Sequence, residues 1–111
     1  MSGQWMRVCG QDELGRRAVR TVASLIGEIA VFHLEDGRMV AIEDRCPHRG
    51  APLSSGAVYD GDKVACFDHG WTIRLTDGRV EPPEQGCVRT FPVKVEAGSV
   101  FVLVPVPGQH A

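Results

Sequence analysis

Apolar positions along this chain come in short stretches separated by turn signals. Asp36-Gly37, Asp60-Gly61 and Asp77-Gly78 each stand between two such stretches, and Asp-Gly readily supplies the positive φ angles of a tight hairpin turn. The pattern predicts three hairpins: Ile29 to Leu34 with Met39 to Ile42, Ala57 to Tyr59 with Lys63 to Cys66, and Trp71 to Leu75 with Arg79 to Glu81. A fourth is expected to join Pro92 through Glu96 to Val100 through Leu103 around Ala97-Gly98-Ser99. There Val93 and Val95 alternate with Lys94 and Glu96, the two-residue period of a strand with one wet face. No window shows helical periodicity flanked by caps. Thirteen glycines and seven prolines agree with many short strands, and the expected class is all-β.

Composition narrows the function classes. A chain of 111 residues has the size of one domain, taken here as 1–111 without repeat or linker. Such a chain buries roughly 60–65% of its unfolded surface, a modest core that a bound metal would reinforce. The net charge of −2 gives no field to attract nucleic acid or an anionic membrane. The longest apolar run, Val100 to Val104, is far shorter than the ~20 residues of a spanning helix. Met1 to Trp5 lacks the basic and apolar segments of a signal peptide, and the stretch after Arg16-Arg17 carries Arg20 and Glu28 and reads as strand. A cytoplasmic location is therefore expected. In a reducing compartment, four cysteines are expected as ligands or free thiols rather than bridges.

Two loops between the hairpins share one chemistry: Cys46-Pro47-His48-Arg49-Gly50 and Cys66-Phe67-Asp68-His69-Gly70. The spacing is Cys-x-His, seventeen intervening residues, then Cys-x-x-His. Two ligands from each of two loops can grip a compact centre, with proline and glycine holding the backbone in non-helical turns. Mixed ligation fits tetrahedral zinc or a 2Fe-2S cluster with two histidines on one iron. Zinc fingers place two to four residues between paired ligands and keep their histidines together, a pattern absent here. A zinc-stabilised interaction module is thus the weaker reading.

The motif resembles that of the Rieske 2Fe-2S family, with Cys46, His48, Cys66 and His69 at its four ligand positions. The resemblance implies an antiparallel sandwich with a cluster-binding subdomain of two hairpin loops, at about residues 43–86. It also implies both cysteines on one iron, both histidines on the other, and one-electron transfer. Two thiolates and two neutral imidazoles around a ferric sulfide core leave the oxidised centre near neutral, about two charges less negative than an all-cysteine cluster. That raises its potential. Quinol-oxidising members carry an extra cysteine in each loop, joined as a disulfide, where this chain has Ala51 and Asp68. They also carry a serine and a tyrosine that donate to the cluster sulfurs, where this chain has Trp71 and Ile73. Losing those donors predicts the low end of the Rieske range, on the order of −150 mV.

Within that family, Cys46 to Gly56 fits both the ferredoxin of ring-hydroxylating dioxygenases and the small subunit of assimilatory NAD(P)H-dependent nitrite reductase. His69 to Ile73, Gly86 to Val93 and the opening Gln4 to Val8 look more like the second. That likeness implies a large partner subunit carrying flavin, siroheme and an iron-sulfur cluster, and reducing nitrite to ammonium in nitrate assimilation. The dioxygenase alternative implies a reductase and a terminal oxygenase as partners. No catalytic residue or substrate pocket of its own is expected in this chain. Pro47, Arg49, Asp68 and Trp71 flank the ligands and are candidate partner contacts, and Trp71 reads either as partly exposed beside the cluster or as core beneath the loop. Cys9 and Cys87 are expected to pack as small hydrophobes. His33 and His110 are expected to be structural or solvated, Arg7, Arg16, Arg17 and Arg20 solvated, and Pro82 to Gly86 a rigid exposed connection.

Overall fold

The computed structural model describes residues 3–68 and 70–105. Ten strands follow in chain order: β1 (Gly3–Gly10), β2 (Val19–Ser24), β3 (Gly27–His33), β4 (Met39–Glu43), β5 (Ala57–Tyr59), β6 (Lys63–Ala65), β7 (Thr72–Arg74), β8 (Thr90–Phe91), β9 (Val93–Glu96) and β10 (Ser99–Pro105). Two 3-10 turns, Gln11–Glu13 and Leu53–Ser55, are the helical elements among the described residues. None of these is long and apolar enough to cross a membrane. The strands form three antiparallel sheets, ordered β1-β10-β9, β2-β3-β4-β8 and β5-β6-β7.

The hairpin expectations hold at β3-β4, β5-β6 and β9-β10. The third hairpin also forms, over residues 72–74 and 79–81: the bridge Ile73↔Val80 is flanked by the Arg74 N–H donating to the Arg79 carbonyl and the Glu81 N–H donating to the Thr72 carbonyl, each at 2.9 Å. On its other side the returning strand meets the following segment, where the Val80 N–H donates to the Gly86 carbonyl at 3.0 Å and the Val88 N–H to the Gly78 carbonyl at 2.8 Å. The segment is thus divided between two neighbours. β1 pairs with β10, from the far end of the chain, with a register shift between Arg7 and Cys9.

β3 explains the apolar run at 29–34. Ile29 and Val31 lie in one core with Cys9, Ala41, Phe91, Val100 and Val102, while Ala30, Phe32 and Leu34 lie in a second core with Leu53, Val64, Ile73, Leu75, Val80 and Val88. A strand buried on both faces has no wet positions, so it reads as a continuous run rather than an alternation. Each fully buried Val, Leu, Ile or Phe contributes about 1.5–3 kcal/mol; the first core joins the two base sheets, and the second fixes the β5-β6-β7 subdomain on β3.

Cys9 is buried, as expected of a small hydrophobe. Cys87 is not: it is exposed while Val88 beside it is buried, because the extended chain sends successive side chains to opposite sides. His33 is structural, its Nδ1 lying 2.8 Å from the Leu14 carbonyl oxygen. Arg17 is exposed and paired with Glu35. Pro82 and Pro83 are exposed, and His110 lies outside the described residues.

Candidate metal centre

The two Cys-His loops are one backbone device used twice. In residues 46–51 the Cys46 N–H donates to the Ala51 carbonyl at 2.8 Å and the Gly50 N–H to the Cys46 carbonyl at 2.7 Å. In residues 66–71 the Cys66 N–H donates to the Trp71 carbonyl at 2.7 Å and the Gly70 N–H to the Cys66 carbonyl at 3.0 Å. The fifth residue of each loop must turn with positive φ, +80° at Gly50 and +72° at Gly70, a conformation that glycine adopts without steric cost. This is the physical reason for the glycine that follows each Cys-His pair.

The loops set both sulfurs on the inner side. Cys46 and Cys66 are 1% and 2% exposed and belong to the core that the subdomain shares with β3. Burial pushes the Cys66 thiol up, and a side-chain hydrogen bond with Cys46 raises it further, against a lowering contribution from the Asp68 backbone N–H. The two side chains therefore meet. Thiolates at this depth need a cationic centre to compensate them, so the donor set fits a ferric sulfide core. His48 is half-buried on loop one, and its imidazole stacks on the Trp71 indole with ring centroids 4.6 Å apart and planes 18° apart. His69 lies outside the described residues.

Loop one is anchored by side chains as well. Asp44, just before it, accepts from the Ser54 N–H at 2.6 Å and from the Ser54 hydroxyl at 2.7 Å. Glu43 accepts from the Arg89 N–H at 2.8 Å. Gly56 closes the stem: a Cβ there would sit 2.3 Å from the Ala65 carbonyl oxygen, an approach that only glycine permits.

Of the candidate contacts, Pro47 and Arg49 are exposed and Asp68 and Trp71 are half-buried. Trp71 packs against the core and stacks beside the loop at once, so both readings of it describe part of its surface. Sequence reasoning passed over Phe67, which is 62% exposed between Cys66 and Asp68. Its position inside a tight ligand loop, with the cysteine before it turned inward, is the signal that marks it. Exposed Cys87 also lines a cleft beside loop one, with Cys46, Pro47, His48 and Arg49. Ile73 is fully buried, and the hydroxyl of Tyr59, the chain's single tyrosine, hydrogen-bonds Thr72 Oγ1 at 2.7 Å.

The chain matches the Rieske [2Fe-2S] domain family over residues 4–92. A solved structure described as an NADH-dependent nitrite reductase small subunit from Mycobacterium tuberculosis is 26% identical, with a TM-score of 0.85, covering 96% of this chain and 99% of that one. A chain in the complex of reduced oxygenase and oxidised ferredoxin of carbazole 1,9a-dioxygenase is 31% identical, with a TM-score of 0.79, covering 88% of this chain and 91% of that one. The oxidoreductase NdmD of Pseudomonas putida is 32% identical over 94% of this chain, which spans 19% of that protein's length. The chain belongs to the Rieske [2Fe-2S] family, as an electron-transfer domain whose cofactor is a Rieske-type 2Fe-2S cluster.

Proposed function

We propose that the chain, as a single domain, is the redox small subunit of an assimilatory NAD(P)H-dependent nitrite reductase, and that Cys46, Cys66, His48 and His69 hold its cluster. The ligand set is supported by two buried cysteines whose side chains meet between two loops of one backbone geometry. The subunit assignment is carried by the two-way coverage of the Mycobacterium tuberculosis small subunit, 96% and 99%. When bound, the cluster takes up and releases one electron at a time.

The chain's own residues divide the remaining work. Cys46 and Cys66 would hold the cluster through sulfurs set in the apolar core, which keeps water from them. His48 and His69 would offer it their imidazoles. Pro47, Arg49 and Phe67 present an exposed rim to the partner, with Asp68 and Trp71 half-buried behind it. No hydroxyl stands at position 71 or 73 to donate to the sulfurs, which supports a potential near the low end of the family, on the order of −150 mV. Such a centre suits a flavin or nicotinamide electron source better than quinol. A potential above about +100 mV by film voltammetry would contradict this.

The ferredoxin of a ring-hydroxylating dioxygenase is the second reading, favoured by the 31% identity to a chain of the carbazole dioxygenase complex. Reconstitution separates the two. The proposal expects the chain to copurify with a flavin and siroheme subunit and to raise its NAD(P)H-dependent nitrite reduction. Association with a terminal oxygenase, and electron delivery to it, would reverse the assignment. Stoichiometric zinc without acid-labile sulfide would overturn both readings in favour of an interaction module.

A further inference from the structure

Loop two carries a large ring where loop one carries Ala51, and that ring reaches beyond its own loop. The Trp71 carbonyl closes loop two by accepting from the Cys66 N–H at 2.7 Å. Its indole packs against the subdomain core and also stacks on the His48 imidazole of loop one, 4.6 Å between centroids and 18° between planes. One residue is therefore tied by its backbone to a cysteine of loop two and by its ring to the histidine of loop one. All four cysteines are free, so no disulfide joins the loops.

We propose that Trp71 is the positioning residue for His48, setting the plane in which the imidazole is offered to iron and bracing the two ligand loops against each other. This rests on the ligand set proposed above. A histidine side chain on a loop turns about two torsions. An offset stack on an anchored indole favours one orientation by roughly two- to tenfold, the range measured for aromatic pairs beyond their buried area. Groups that orient a metal-bound histidine have such leverage because they hold the ligand in place before the metal arrives.

The test compares Trp71→Phe, which keeps a stacking ring, with Trp71→Leu, which keeps apolar volume without one. Both are prepared as cluster-loaded full-length protein. Trp71→Leu is expected to lose its visible absorption to a chelator roughly two- to tenfold faster than wild type. Its reduced EPR lines should also broaden, reporting a spread of His48 orientations. Trp71→Phe should recover most of both, at equal thermal stability of the two variants. Should the leucine protein not accumulate, Trp71→Met takes its place with the same expectation. A leucine or methionine variant matching wild type in loss rate and linewidth overturns the inference while leaving the ligand set intact, as does equal impairment of the phenylalanine variant. A wild-type chain that takes up no iron and sulfide overturns the ligand set and the inference with it.

Discussion

Loops 46–51 and 66–71 close with the same pair of backbone hydrogen bonds and the same positive-φ glycine, yet they are stiffened by different means. Loop one is held by charge-assisted hydrogen bonds at its stem, Asp44 to Ser54 and Glu43 to Arg89. Loop two is held by apolar packing, through Trp71 and the buried Ile73 that follow it. The histidine also stands one position later in loop two, at 69 rather than at the offset of His48. Backbone closure alone thus places cysteine and glycine alike in both loops, while the side chains around each loop decide how firmly it is held.

Breaking each loop at its cysteine has the largest expected effect. Cys46→Ser and Cys66→Ser should each leave almost no bound iron or acid-labile sulfide, since the two buried sulfurs share one iron in the proposed site. Retention of a full complement of iron and sulfide by either variant would break the equivalence of the loops. Gly56→Ala comes next. Its Cβ would press on the Ala65 backbone carbonyl, a clash that side-chain motion cannot relieve, and it should lower stability by about 1–3 kcal/mol in denaturant unfolding.

Asp44→Ala probes what is particular to loop one. Removing a carboxylate that accepts two hydrogen bonds should cost about 1.5–3 kcal/mol, discounted because the pair is only part-buried, and chelator-driven cluster loss should quicken. Asp44→Asn, which keeps one of the two acceptor oxygens, should fall between alanine and wild type. Phe67→Ala should have the smallest effect on the protein itself, with cluster content and thermal stability unchanged because the ring is 62% exposed. Its effect should appear in titrations with the redox partner, as roughly a fivefold weaker affinity, about 1 kcal/mol. Unaltered affinity would remove Phe67 from the docking rim.

The parts legible in the sequence are those specified locally. Asp-Gly pairs mark three turns, and the alternation at 93–96 marks β9, because each depends on residues a few positions apart. The pairing of β1 with β10 joins residues near the two ends of the chain, and no local pattern carries that register. β8 has two residues, too few for a period. The spacing of the Cys-His loops points to a two-loop centre, but the stack of Trp71 on His48 crosses from one loop to the other and emerges only when both are folded. Cys87 departs from its expected burial for a related reason: burial preference says how often cysteine is inside, whereas the phase of the extended chain, with Val88 turned inward, decides which way this one points.

The central claim is that two cysteines and two histidines from paired loops hold one cluster. Pulsed EPR of the reduced protein, grown with 15N-labelled histidine, tests it most directly. The account predicts two imidazole nitrogens coupled to an iron signal with average g below about 2, in protein containing two irons and two labile sulfides per chain. A signal without histidine nitrogen coupling, or stoichiometric zinc without sulfide, would contradict it.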